Sequence, residues 1–335
     1  MLDNLNLLTK DPFVFEGIPV HIDARMGFVT IREGNDTPAA YLQQAESAVN
    51  AAHKSLLELV QYDPSFKLET RDNMSMLGEL VKAIEQQQLS LHYQPKVNIS
   101  NGNISGVEAL MRWQHPIRGP ISPGRFIPCA EQSTLIHMLT RFALSEAIQT
   151  AIHFKTLSIP VPVAVNISAH NLHQPGFADT VFELLVEHGL NGEFIELEVT
   201  EGALISDMNR TITQLNRLAE AGIVISVDDF GTGYSSLQYL HKLPISHLTI
   251  DQSFIQRLPA DKDAVHIVEA SVSLAHKMGM KTIAEGIENE SVMAFLMNIG
   301  CDVAQGYYIS RPINRNAYID WHGAQRGQFN WPSTP

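Results

Sequence analysis

From residue 88 onward, short apolar runs alternate with amphipathic stretches of helical period. The runs 91–99 and 107–113 predict two strands, and Ser100-Asn101-Gly102-Asn103 between them is a hairpin signal, so this first pair is expected to be antiparallel. The pattern then predicts helix 126–155, strand 163–167, helix 177–188, strand 195–200, helix 207–221 and strand 224–228. A short helix 236–240, strand 247–250, helix 264–278, strand 282–285, helix 291–299 and a last strand 303–307 follow. Strand–helix units in series imply a mostly parallel sheet with right-handed crossovers. Their combined length suits a (β/α) barrel better than a small open sheet. Ahead of them lies a smaller α/β piece. It comprises a strand over 18–31 through the alternating V-H-I-D-A, a helix over 39–62, a charged linker or helix entry at 67–73, and a helix over 74–87. That last helix is amphipathic through Leu77, Leu80, Val81 and Ile84.

Composition narrows the class. Apolar residues are 44% and charged residues 18% of the 335, which excludes a disordered, collagen-like or coiled-coil chain. Lys plus Arg number 23 against 36 Asp plus Glu, a net charge of −13 that argues against sequence-independent binding to DNA or RNA polymers. A phosphate-bearing ligand would have to be met by local cations or bound metal. Cys129 and Cys301 cannot form a disulfide framework and read as a buried, inert pair of a reducing compartment. No apolar run approaches the roughly 18 residues of a membrane span. Asp3, Asp11 and Glu16 interrupt the first residues, unlike a signal peptide, and the expected location is cytoplasmic.

The candidate chemistry sits at the strand ends, where a barrel of this kind carries its active site. The polar residues placed there are Glu108, Asn166, Glu198, Asp228, Asp229, Asp251, Glu285 and Gln305, and almost every strand ends in a carboxylate or amide. Carboxylates facing one mouth repel each other. An all-oxygen set of this kind points to hard divalent cations, Mg²⁺ or Mn²⁺. Adjacent Asp228 and Asp229 could flank two ions some 3.5–4 Å apart, as in-line phosphoester displacement requires. The competing reading is that each acid caps the helix that follows it. Arg112 lies four residues beyond Glu108 on the same strand face, roughly 13 Å away at about 3.3 Å per residue. It could hold a phosphate at the far side of a long ligand, or form a surface ion pair. Gly231-Thr232-Gly233 would give a flexible loop able to close over ligand. His170 and His173, and His241 and His247, lack the grouping of a zinc site.

Taken together these residues resemble the EAL family of cyclic di-GMP phosphodiesterases over roughly 74–322. The motifs Y-Q-P (93–95), E-A-L-M-R-W (108–113), F-I-P-C-A-E (126–131), V-N-I-S (165–168), E-V-T-E (198–201), D-D-F-G-T-G (228–233), A-E-G-I-E (284–288) and Q-G-Y-Y-I-S-R-P (305–312) stand in family order. The resemblance implies a modified TIM barrel with an antiparallel first strand. It implies two divalent cations, Mg²⁺ or Mn²⁺ with Ca²⁺ inhibitory, held by Glu108, Asn166, Glu198, Asp228 and Asp229. Glu285 would serve as outer ligand or general base, and Glu201 as anchor of the Asp-Phe-Gly loop. Gln94, Arg112, Gln305 and Glu288 would contact substrate. The implied reaction is attack of metal-bound hydroxide on one phosphodiester bond of cyclic di-GMP, giving linear pGpG, and the implied assembly is a homodimer.

One position departs from the family. Its L-K-I-D motif reads Leu248-Thr249-Ile250-Asp251 here, so an ammonium is missing where Thr249 stands. The loss of one such electrostatic contact typically costs on the order of 10²–10³ in rate. His247 sits deeper on the same strand face and Lys242 lies on a loop, so neither is an evident substitute. Two readings stay open: a slow cyclic di-GMP phosphodiesterase, and a catalytically inactive receptor that binds the dinucleotide and passes a signal on. A barrel acting on another phosphoester, or a scaffold, is a third. Residues 1–66 resemble the C-terminal half of a GGDEF diguanylate cyclase domain through I-P-V-H-I-D-A-R-M-G and A-E-S-A-V-N-A-A-H-K, without the signature motif. The expected organisation is this partial domain at 1–66, a linker at 67–73, the barrel at 74–322 and a tail at 323–335. The half-domain leads to the expectation that the natural protein begins upstream of Met1.

Overall fold

The structure is a computed structural model that describes the chain except residues 1–12, 16–17, 21–23, 32–36, 56, 58, 206, 232–239 and 332–335. The chain divides into two compact units, Met1–Leu80 and Val81–Pro335.

In the first unit, β1 (Phe13–Phe15) pairs antiparallel with β2 (Ile18–Val20). Strand β3 (Met26–Phe28), helix α1 (Pro38–Ser55) and β4 (Leu59–Gln61) form a βαβ unit with the two strands parallel. A Cβ on Gly27 would stand 2.2 Å from the backbone nitrogen of Val49, so only glycine lets α1 lie this close on β3. Three expectations are corrected here. The single strand 18–31 is two short strands. The helix expected to 62 ends at Ser55, and Leu59-Val60-Gln61 extends to pair with β3. The linker expected at 67–73 is helical, because α2 runs unbroken over Pro64–Glu85 and the division between units falls within it. Its charged first half carries no strong apolar period, yet after Pro64 at the first helical position it contains no Gly or Pro that would break a helix.

The second unit is a closed barrel. Strand β5 (Leu89–Asn98) pairs antiparallel with β6 (Ile104–His115), and a small strand β7 (Gly119–Ile121) extends β6. Helices α3 (Pro123–Glu131) and α4 (Leu135–Thr156) follow. They replace the single helix expected over 126–155, and Gln132–Thr134 break it. Strand β8 (Val163–Ile167) leads to α5 (Ala169–His173) and α6 (Phe177–His188). Strand β9 (Ile195–Thr200) leads to α7 (Glu201–Ile205) and α8 (Met208–Glu220). Strand β10 (Val224–Phe230) and β11 (His247–Ile250) come next, then α9 (Gln252–Ile255) and α10 (Lys262–Lys277). Strand β12 (Lys281–Ala284), α11 (Glu290–Asn298), β13 (Val303–Ala304), β14 (Ile313–Asn314) and α12 (Arg315–Gln325) complete it. The last strand is shorter than expected, and α12 extends into the expected tail. The helix expected at 236–240 and Thr232-Gly233 lie outside the described residues, apart from Leu240.

Around the barrel the order is β5-β13-β12-β11-β10-β9-β8-β6, with β6 closing on β5. Every neighbouring pair from β6 through β13 is parallel, and β5 alone runs against them. Strand alternation then sorts the chemistry. Val163, Val165 and Ile167, Ile195, Leu197 and Val199, Ile225 and Val227, and Leu248 and Ile250 face the helices and join one buried apolar cluster with Leu144, Ile148 and Phe154. Each such side chain, fully buried, contributes about 1.5–3 kcal/mol. The alternate residues Glu196, Glu198, Ser226, Asp228, His247 and Thr249 line the barrel's inside. The apolar layer therefore lies between sheet and helices, and the inner surface is polar.

Candidate active site

Glu108 organises the rim. It stands on β6, where Asn166 Nδ2 from β8 donates to its Oε1 at 2.7 Å and Gln305 Nε2 donates to its Oε2 at 2.5 Å. Gln305 Nε2 also reaches Gln94 Oε1 on β5 at 3.2 Å, and Gln94 Nε2 donates to the carbonyl of Ser310 at 3.1 Å. Three strands and the loop after β13 are thus tied through one carboxylate. A cleft of 450 Å³ opens over them, lined by Gln94, Glu108, Arg112, Glu285, Glu288 and Gln305 among others. Arg112 is partly buried, its Nη1 donating to the carbonyl of Met111 at 2.8 Å, and burial lowers its pKa. Among the described residues it forms no ion pair of the surface kind.

The acids of the rim are crowded and short of compensating charge. Burial and then Asp229 and Glu108 push the Asp228 carboxyl up to about 7. Burial, then Glu108, Asp228 and Glu198, hold Glu285 well above the usual carboxylate range. Glu198 is raised in the same direction, by burial and by Glu108, Glu196 and Asp228, against the pull of Lys96. Asp229 is raised by burial and by Asp251, whose carboxyl it meets. Such a group is costly until positive charge arrives.

Asp228 and Asp229 both reach this cluster because β10 bulges at its end. The register with β11 slips between Val227 and Phe230, and Asp229 has φ +57°. Without that kink, adjacent residues would point to opposite faces. Glu201, buried, begins α7; its Oε2 accepts the Gly231 N–H at 3.2 Å. Asp251 caps α9 through Oδ1 and the Ser253 N–H at 3.0 Å, so the capping alternative describes this acid. Asp207, Asp261 and Asn289 cap helices in the same way.

Thr249 is wholly buried inside the barrel and is not among the residues that line the cleft; its hydroxyl has no hydrogen-bond partner among the described residues. Lys96, absent from the residues singled out by sequence, is the buried cation beneath the acids. Its Nζ lies 2.5 Å from Glu198 Oε1 and 3.3 Å from Glu196 Oε1. Burial opposes its charge, but Glu196 and Glu198 outweigh this and hold its pKa above the ordinary value. A period of two along Gln94, Lys96 and Asn98 already places it on the inward face. His247 does sit deeper than Thr249, and its Nδ1 is 2.9 Å from Glu196 Oε1. The two cysteines are buried thiols, and burial pushes Cys301 up to about 11.

The donor chemistry suits a hard divalent cation: carboxylates and amide oxygens with raised proton affinities, and a Glu198 Oε2 that is buried without a partner. Among the described residues no three His, Cys, Asp or Glu side chains already converge on one metal position, so the acids would have to close in on an ion. Among the described residues, no helix is long and apolar enough to cross a membrane.

Comparison with known proteins places this arrangement. The family described as EAL domain matches residues 77–312. The chain is 37% identical over 306 residues to the bifunctional diguanylate cyclase/cyclic di-GMP phosphodiesterase MucR of Pseudomonas aeruginosa, a match covering 91% of this chain and 45% of MucR. It is 35% identical over 322 residues to the cyclic di-GMP phosphodiesterase NbdA of the same organism, covering 95% of this chain and 41% of NbdA. The chain thus spans less than half of these two relatives. The solved structure of the P. aeruginosa MucR phosphodiesterase in complex with cyclic di-GMP superposes with a TM-score of 0.70 at 41% identity, over 73% of this chain and 99% of that one. The EAL domain of Xanthomonas citri FimX with cyclic di-GMP has a TM-score of 0.67 at 21% identity, over 74% of this chain and 97% of that one, a likeness of fold.

Proposed function

We propose that this chain, which belongs to the EAL domain family, binds cyclic di-GMP across the rim cleft and hydrolyses it slowly, with divalent cations, to linear pGpG. The observation that carries the reading is the Glu108 hub. Asn166 and Gln305 fix its carboxylate, with Gln94 holding Gln305 in turn, beside Asp228, Glu198 and Glu285, under a cleft long enough to reach Arg112. Glu108, Asn166, Glu198, Asp228 and Asp229 would hold the cations, two in number and Mg²⁺ or Mn²⁺ by preference. Bound there, they would offset the crowded negative charge and acidify water.

The chain's own residues do the rest. Arg112 receives a phosphate through its guanidinium fork, and Gln94, Gln305 and Glu288 contact the nucleotide. In the reaction a water oxygen bonds to phosphorus, one phosphorus–ribose oxygen bond breaks, and the departing ribose oxygen takes up a proton. Glu285, whose raised proton affinity suits the task, receives the proton the water gives up. Glu201 holds the backbone after Asp-Asp-Phe through Gly231. A homodimer and a cytoplasmic location belong to the same proposal, as does a GGDEF-like origin for residues 1–66.

A specific observation favours a second reading. Thr249 brings a buried, unpartnered hydroxyl and no charge to the strand nearest Glu285. Binding would survive this better than turnover, leaving a receptor. Calorimetry of cyclic di-GMP with Ca²⁺, followed by chromatography after exchange into Mg²⁺ or Mn²⁺, separates the two. Binding followed by pGpG supports the enzyme. Binding without pGpG after long incubation supports the receptor. Absence of binding removes both.

A further inference from the structure

Lys96 and the two glutamates on β9 form a buried ionic cluster, of which the proposed reaction uses only Glu198. Glu196 is fixed from three sides. Its Oε1 takes the Ser226 hydroxyl from β10, His247 Nδ1 from β11 at 2.9 Å, and Lys96 Nζ from β5 at 3.3 Å. Held by that anchor, the ammonium donates at 2.5 Å to one oxygen of Glu198, Oε1. The other, Oε2, is buried with no partner among the described residues. Gly106 stands opposite Lys96 in the hairpin register, and a Cβ there would lie 3.9 Å from Lys96 Cδ. A side chain at 106 would thus come into contact with the lysine stem, while the ammonium is placed by its contacts with Glu196 and Glu198.

We propose that Lys96 determines cation specificity: by covering Glu198 Oε1 it restricts Glu198 to one-oxygen ligation through Oε2, and so disfavours Ca²⁺ relative to Mg²⁺. The inference rests on the reading of Glu198 as a cation ligand. Its physical basis is the difference between the two ions. Mg²⁺ takes six ligands in strict octahedral array, keeps several waters, and needs only single carboxylate oxygens from the protein. Ca²⁺ takes six to eight oxygens and readily uses a carboxylate through both. An ammonium seated on one oxygen competes with the two-oxygen mode and leaves the one-oxygen mode intact. Its charge repels both divalent ions alike, so the ratio of their affinities reports the geometry and not the charge.

The test is calorimetric titration of the whole chain with MgCl₂ and with CaCl₂, without nucleotide. It compares wild type with Lys96→Met and with the charge-conserving pair Lys96→Met/Glu196→Gln. In the pair, one buried positive and one buried negative charge leave together, which keeps the fold attainable if the single variant fails, and circular dichroism checks both. The expected result is a Ca²⁺-to-Mg²⁺ affinity ratio that rises at least about tenfold in the pair, the scale of one added ligand oxygen. A ratio within about twofold of wild type, with both ions still binding, would overturn the proposal and leave Lys96 a charge-balancing residue only. If wild type bound neither ion, the reading of Glu198 as a ligand would fall with it, an outcome distinct from an unchanged ratio.

Discussion

The backbone N–H of Asp229 donates to Oδ1 of its neighbour Asp228 at 2.8 Å while Asp229 itself sits at φ +57°. One residue in the left-handed region turns two consecutive side chains of a strand toward the same rim. The conformation costs a residue with a Cβ about 1–2 kcal/mol, and Asp bears it better than most.

That strain is measurable. Asp229→Gly should unfold in urea with stability at or above that of wild type, and Asp229→Val should be about 1–2 kcal/mol less stable, both measured with a chelator present. Equal stability of the Gly and Val variants would show that the bulge is not imposed by the surrounding barrel.

Stability of the metal-free protein should depend on pH through Asp228. Its folded carboxyl titrates at about 7, above the ordinary 3.8. Over the interval between, the folded state keeps a proton that the unfolded state has lost. This contribution is full below pH 4 and disappears as pH rises through 7, a loss on the order of 2–4 kcal/mol. Melting temperature in chelator should therefore fall from pH 5 to pH 8, and Asp228→Asn should flatten the fall. Glu196 acts oppositely: burial would raise it, but Lys96 and His247 hold it down at about 2, so its contribution is lost only in strong acid. A flat wild-type profile would contradict the crowding of the rim.

Glu108→Ala should weaken Mg²⁺ or Mn²⁺ binding by at least about tenfold in calorimetry, since it removes a carboxylate and releases the Asn166 and Gln305 amides it orients. Unchanged affinity would move the cation site elsewhere.

Thr249→Lys should raise pGpG formation by at least about tenfold, because an ammonium would enter a water-excluded site at the position of an unpartnered hydroxyl. Chromatography under Mg²⁺ or Mn²⁺ reads the result, and no gain would place the limit in loop geometry.

Gly306 sits against the neighbouring loop so closely that a Cβ would lie 2.2 Å from the Ile287 carbonyl oxygen. Gly306→Ala should cost about 1–3 kcal/mol in urea unfolding and displace Gln305 from Glu108, with cyclic di-GMP affinity falling in parallel. Wild-type affinity in this variant would argue that Gln305 does not position the ligand.

Much of the barrel was legible because its strands obey one rule. Val163–Ile167, Ile195–Thr200 and His247–Ile250 occupy the predicted bounds, the last two as an apolar–polar alternation whose apolar half must meet a helix and the first as a short, nearly all-apolar run. The hairpin followed from Asn101-Gly102. What escaped was set by partners distant in sequence. The stretch Leu59–Gln61 is a strand only because β3 lies beside it. The bulge at Asp229 is fixed by pairing with β11, some twenty residues on. Lys96 had a signal, its place between Gln94 and Asn98 on the inward face, but its partners Glu196 and Glu198 lie a hundred residues away.

The reversed β5 also decides where attachments can go. Its first residue, Leu89, pairs with Trp113, beyond Glu108 on β6, so the polypeptide enters this barrel on the rim that carries the acids. The hairpin turn falls at the opposite end, where the tail docks through Phe329 N–H to the Gly102 carbonyl at 2.7 Å and Gln328 Nε2 to the Asn101 carbonyl at 2.6 Å. A fluorophore or purification handle joined after Trp331 would accordingly report from the end of the barrel opposite the acids, while one spliced in just before Leu89 would crowd the rim that carries them.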